Sequence, residues 1–171
     1  MHLTKISTAV SLIACALWAG GLVALGAIAA PVVFGMVPAP SSADAMTVVF
    51  RRFDKLAMLC AVLLAAGEFV RVRASAKISR LDMARGVSAL AAGTLAVIEG
   101  VYLSPKIEGL HLAGAIRGLN DLGRDLDAAH HLAELSGKGQ LLFLFAFIVL
   151  SVYTMPAAVP ARGTGESSKG V

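Results

Sequence analysis

Residues 6–37 read ISTAVSLIACALWAGGLVALGAIAAPVVFGMV, and this stretch decides the fold. Only Ser, Thr and Gly interrupt its apolar character before Pro31. A helix needs about 20 apolar residues to cross a bilayer, so the run can span with some tilt. Three further apolar runs follow at 53–70, 86–103 and 135–155. The second carries Glu68, and its uncharged core is only 12 residues, 56–67. A buried or re-entrant helix competes with a span there, but Arg71 and Arg73 follow as an anchor and favour the span. The third run carries Glu99. The fourth has Lys138 and Gln140 in its first turns and is stopped by Pro156. The expectation is an all-α, four-span transmembrane helix bundle forming one membrane domain over 1–156. The Gly-, Ser- and Pro-rich tail at 157–171 is expected to be disordered and cytosolic.

Composition agrees. Of 171 residues, 57% are hydrophobic and 15% charged, with mean hydropathy +0.79. Ordinary soluble domains have about 45–50% apolar and about 25% charged residues. The balance excludes a disordered chain and a nucleic-acid-binding tail, and it argues against a soluble enzyme. Cys15 and Cys60 sit inside apolar runs and offer neither a disulfide framework nor zinc spacing. No P-loop, dinucleotide fingerprint or nucleophile elbow is present.

The N-terminus could be read as a cleavable signal, with a short basic region at 1–5 and Leu12-Ile13-Ala14-Cys15 imitating a lipoprotein box. The apolar run continues far beyond a signal's core of about 7–15 residues, so an uncleaved first span is expected. Lys and Arg counts on the two sides are nearly equal, eight against seven, but five basic residues crowd between Arg71 and Arg85. Basic density marks the cytosolic side. That places this connection and both termini in the cytosol of a bacterial inner membrane.

Spans in lipid associate through small residues that let backbones approach. Gly86, Ala89, Gly93, Ala96 and Gly100 step by three and four along the third run, as one seam. Ala57, Ala61 and Ala65 form a second row, and Ala16, Gly20 and Ala24 a third. Glu68 and Glu99 flank such rows and should point inward, since ionisable residues within a span avoid lipid. By helix rise they should differ in depth by roughly 15–20 Å. Either each is a boundary residue neutralised by Arg71 or Lys106, or together they mark a polar path.

Residues 104–134 are too regular for a loop. Leu112, Ile116, Leu119, Leu122 and Leu126 recur at three and four, predicting an amphipathic helix on the membrane surface or over the bundle mouth. Asp127, His130, His131 and Glu134 share one face of it, and Glu108 pairs with His111 as a second carboxylate–histidine step. Such pairs can ligate iron, manganese or zinc, but a bundle metal site needs ligands from several helices, and the first three runs contain no histidine. The expectation is therefore no bound metal or cofactor, with His130 and Glu134 as a polar i, i+4 pair.

The order of several short motifs resembles the transmembrane protein 205-like family, also called the domain of unknown function 4149. They are Trp18-Ala-Gly-Gly21, Pro31-Val-Val-Phe34, the proline turn at Pro38, Phe50-Arg-Arg-Phe53, Tyr102-Leu-Ser-Pro105-Lys-Ile107, Arg117 and His131. The resemblance spans roughly residues 10–155 and departs from the family pattern after the histidine, at Ala-Glu-Leu-Ser136-Gly-Lys-Gly-Gln140. It implies a small four-span membrane protein. With no catalytic constellation, the functional expectation is a non-enzymatic accessory or binding subunit, in a homo-oligomer or with other membrane subunits, its surroundings the lipid bilayer and no nucleic acid. A small transporter using Glu68 and Glu99 is the alternative.

Overall fold

The computed structural model describes residues 2–75 and 77–154. Among the described residues the fold is all-α, four long helices without a strand. Helix α1 covers 2–36 as His2–Val23, a π-helical segment Ala24–Ala29, and Ala30–Met36. Helix α2 is Ser41–Ala74. Helix α3 is Arg80–Leu112 and contains a π-helical segment at Glu99–Leu103. Helix α4 is Asp121–Tyr153. Three of them, α1, α3 and α4, are long and apolar enough to cross a membrane. The end of the fourth apolar run at Met155 and the tail at 157–171 lie outside the described residues.

Each helix runs antiparallel to the one before it. Ser7 on α1 donates to the Gly67 carbonyl of α2, while Gly21 lies against Phe53. Arg85 on α3 reaches Glu68 of α2, and Ser104 reaches Asp54. Thr154, just past α4, meets Arg85, and His130 meets His111. Helix α1 also contacts α4, through Trp18 with Gln140 and Cys15 with Leu144. The main core lies midway along the helices, where Cys15, Trp18, Leu64, Leu144 and Phe147 are buried. A smaller cluster of Ile107, Ala115, Leu126 and Ala129 sits beneath the 113–120 connection.

Local chemistry sets the helix ends. Ser79 caps α3, its Oγ accepting from the Asp82 amide while the Asp82 carboxylate accepts from the Ser79 backbone N–H. The side chain of Asn120 accepts from the Gly123 amide and caps α4. Two prolines then sit inside continuous helices. Proline cannot donate to the fourth preceding carbonyl, and its ring collides with that group. For Pro31 that carbonyl belongs to Ala27, and for Pro105 to Val101. Each lies within one of the two π-helical segments, where the wider turn absorbs the mismatch.

The helices extend beyond the apolar runs at 53–70 and 86–103. The sequence predicts one amphipathic helix over 104–134, but the structure divides this stretch. Helix α3 continues to Leu112, a turn follows, and α4 starts at Asp121. Gly114, Gly118 and Asn120 have φ of 76°, 74° and 113°, and no α-helix passes through such angles. Leu126 is buried, whereas Leu112, Ile116 and Leu119 remain largely exposed at the tip.

The small-residue rows are also redistributed. Ala16, Gly20 and Ala24 of α1 are exposed, and its inner face is instead Ser11, Ala14, Cys15 and Trp18. The sharpest approach of α1 to α2 is at Gly67, where a Cβ would lie 2.0 Å from the Ser11 hydroxyl oxygen. On α2, Ala57 is buried and Ala65 exposed. On α3, Ala89 and Ala96 are buried, a Cβ on Gly93 would lie 3.5 Å from the Ala61 methyl, and one on Gly100 would lie 3.2 Å from Asp54 and Met58. Gly86 faces open space.

This difference makes a paired prediction. Gly93→Leu should force α2 and α3 apart and lower the detergent melting temperature, because its branched end has no room beyond the Ala61 contact. Gly86→Leu should melt like the wild type. Equal melting of the two variants would contradict the packing described here.

Candidate functional site

Polar chemistry inside the apolar helices is concentrated in three layers. The first lies at the end that holds the chain's start. Arg85 is 1% exposed and is the centre of this layer. Its Nε and Nη2 donate to the Glu68 carboxylate at 2.8–3.0 Å, and Nη1 donates to Asp82 at 3.1 Å and to the Thr154 hydroxyl at 2.7 Å. Arg71 donates to Asp82 at 3.3 Å and to the Thr154 carbonyl at 3.1 Å. The boundary reading pairs Glu68 with Arg71, but its partner is Arg85, which ties α2, α3 and the end of α4 together. Two arginines face two carboxylates, so the cluster is formally neutral. The basic crowd at 71–85 is correspondingly not a loop: Arg71 and Arg73 end α2, and Arg80 and Arg85 belong to α3.

The second layer crosses the middle. Trp18 Nε1 donates to Gln140 Oε1 at 3.0 Å, and Gln140 Nε2 donates to Glu99 and, at 3.3 Å, to the Ser136 hydroxyl. Indole nitrogen only donates and carboxylate only accepts, so the Gln140 amide has one orientation that serves both. Glu99 is therefore held by α4 rather than by Lys106 on its own helix. Nearby, Ser104 donates to the buried Asp54 at 2.6 Å. Between this layer and the first lie Cys15, Cys60, Leu64, Ala92 and Leu144, all 2% exposed or less.

The third layer is a groove of about 650 Å3 at the end opposite the chain's start. All four helices line it. Its α1 wall runs from Leu22 to Phe34 and includes part of the first π-helical segment, and its α2 wall includes Met46, Phe50 and Arg51. Glu99, Ser104 and His111 come from α3, and His130, His131, Glu134 and Lys138 from α4, with Arg117 from the connection. Both π-helical segments thus open onto one cavity, at Gly26 and Ala27 on one side and Glu99 on the other. The size falls within the range of small-molecule sites, about 300–1,000 Å3.

The predicted outer cluster is partly assembled here. His111, His130, His131 and Glu134 line the groove. Asp127 does not. It takes Arg117 Nε at 2.6 Å and the Gly118 amide at 3.0 Å, fixing the turn that precedes α4. His111 and His130 meet edge to face with ring centroids 5.8 Å apart. Glu134 accepts from Lys138 at 2.6 Å rather than from His130, and Glu108 pairs with Arg51 at 3.3 Å. Among the described residues no three His, Cys, Asp or Glu side chains converge as a metal-binding group.

Sequence reading missed the two organising residues. From sequence, Arg85 reads as one of the basic residues between the second and third runs, and Gln140 as a polar residue in the first turns of the fourth. A signal existed for each: an arginine on the same helical row as Ser88, Ala89, Ala92 and Ala96, and a lone amide within an apolar run.

An apolar chain with three helices able to cross a bilayer, and with its polar groups turned inward, is a membrane protein. Residues 13–115 match the family described as Domain of unknown function (DUF4149), and the chain belongs to that family. The match covers most of α1 with α2 and α3 and stops before α4, which supplies Gln140 and half of the groove's titratable wall. No curated protein and no solved structure matches the chain.

Proposed function

We propose that this chain is a four-span protein of a bacterial inner membrane, a helix bundle that works by binding, as an accessory subunit, rather than by catalysis. The observation that carries the reading is the outer groove lined by all four helices. Its three fixed cations are already engaged in ion pairs, Arg51 with Glu108, Arg117 with Asp127 and Lys138 with Glu134. Its Ser104 hydroxyl is committed to Asp54. This is the chemistry of a polar rim around an apolar pocket, not of an activated nucleophile and its base.

The fourth crossing rests on α2. Asp54 and Glu68 are turned inward and satisfied by Ser104 and Arg85, while Leu56, Leu59, Val62 and Phe69 face out. The helix lies antiparallel between two apolar neighbours and, at 34 residues, is as long as they are. Exposed Lys5, Arg73, Lys77 and Arg80 at one end favour placing that end in the cytosol. Transport past Glu68 and Glu99 would need a polar route between them, and the intervening layer is packed and apolar.

Two measurements test the proposal. Ser75→Cys should resist an impermeant thiol reagent in intact cells and Leu119→Cys should react; Cys15 and Cys60 are buried and give no background. The opposite pattern would reverse the orientation. A photo-crosslinking amino acid in place of Phe34, at the groove's rim, should form a specific adduct in living cells. Irradiation that yields only unmodified protein would overturn the binding reading.

A further inference from the structure

The groove does not end at its polar mouth. Val23 and Leu141 also line a second slot of about 550 Å3, which runs between α1 and α4 along the outside of the protein. Its walls are wholly apolar, with Gly20, Ala24 and Ile28 on α1 and Phe145 and Ile148 on α4. Along α4, Glu134, Lys138, Leu141, Phe145 and Ile148 follow one another at steps of four and three, so one helix face passes from charged to apolar. From Lys138 to Ile148 that face is roughly 15 Å long at 1.5 Å per residue. This is about half of a bilayer's hydrocarbon core of roughly 30 Å, the depth of one leaflet.

We propose that groove and slot together hold one lipid, its anionic phosphate headgroup among Arg117, His131 and Lys138 and a hydrocarbon chain in the slot between α1 and α4. The inference deepens the binding reading above and rests on it. Three fixed cations line the groove, Arg51, Arg117 and Lys138, against two acids, Glu99 and Glu134. Glu99 is drawn toward Gln140, away from the rim. Arg117 and Lys138 are 62% and 70% exposed, and their present ion pairs are of the surface kind that holds a side chain only weakly. A phosphate can therefore recruit both, the arginine through two parallel N–H donors. The slot supplies what a soluble phosphate ester would not need, a continuous apolar track open sideways to the bilayer.

The test uses the full chain in mild detergent, offered equal amounts of phosphatidylglycerol and phosphatidylcholine and weighed intact by native mass spectrometry. The wild type should retain one phosphatidylglycerol, at least several-fold over phosphatidylcholine. Gly20→Phe should cut retention of both lipids several-fold, and the new Cβ meets nothing within 4 Å. Arg117→Gln with Lys138→Gln should abolish the preference and leave weak, unselective binding. Excess glycerol phosphate should not displace the lipid; displacement would mean a water-soluble ligand at the mouth and would overturn the proposal. Equal retention in the wild type and both variants would also overturn it, as the lipid would then be general surface lipid. Should the lipid test fail while the position-34 crosslinker captures a protein, this inference falls and the binding reading stands. Should both fail, both fall.

Discussion

Arg85→Ala should be the most damaging single substitution in this protein. The guanidinium is 1% exposed and donates to Glu68 through Nε and Nη2, besides bonds to Asp82 and Thr154. Removing one member of a buried pair strands the other charge and costs about 3–5 kcal/mol. Glu68 would be stranded on α2, and α3 would lose its tie to the end of α4. A large fall in detergent melting temperature is expected, together with proteolysis in the connection between α2 and α3. The companion experiment replaces both partners, Arg85→Met with Glu68→Met. An apolar pair of similar volume leaves no stranded charge, so the double variant should recover most of the loss. If Arg85→Ala melts with the wild type, the cluster is not what joins these helices. If the double variant is worse than the single, the carboxylate has a role beyond pairing.

Glu68 also shows where sequence reading reached its limit. That an acid in an apolar run points inward follows from the cost of exposing it to lipid, and the structure places Glu68 and Glu99 inward, in separate layers. Which cation answers Glu68 does not follow. Arg71 is three residues away and Arg85 is 17, but proximity along the chain says nothing about a contact made across two helices. The same limit explains the small-residue rows. Ala16, Gly20 and Ala24 have the right spacing, yet so does the row through Ser11, Cys15 and Trp18 beside them. Only the partner helix decides between two adjacent faces, and Gly67 and Phe53 of α2 decide for the second. The four apolar runs were legible because hydropathy is local. The division of 104–134 was half legible: glycine disfavours helix, and Gly114 and Gly118 stand in this stretch, but the leucine period suggested continuity. Pro31 and Pro105 carried information that hydropathy ignores. A proline within an apolar helix must disturb the turn before it, and here both disturbed turns open onto the same groove.

Gln140→Leu should be the second large effect, and it reports on the layer beneath that groove. Leucine fills similar space but leaves the Trp18 N–H and the Glu99 carboxylate without their shared partner. An unsatisfied buried group costs about 1–3 kcal/mol, more when charged, so the variant should lose stability through two groups at once. Trp18 is the chain's only tryptophan, and its emission therefore reads this site directly. A charge swap gives the sharper result. Gln140→Glu can still accept from Trp18, but it sets a second carboxylate against Glu99, and like charges in a low-dielectric interior repel strongly. Glu99→Gln in the same chain restores one amide facing one carboxylate with the roles exchanged. The Gln140→Glu variant should melt well below the wild type, and the double variant should return most of the way, in melting and in tryptophan emission. The groove floor would then be rebuilt with its charge moved from α3 to α4. Recovery would identify the layer as a paired structural floor for the groove. A double variant as unstable as Gln140→Glu alone, with Trp18 emission still altered, would show that Glu99 is needed as an acid at its own position, and would bring back a proton-handling role for that residue.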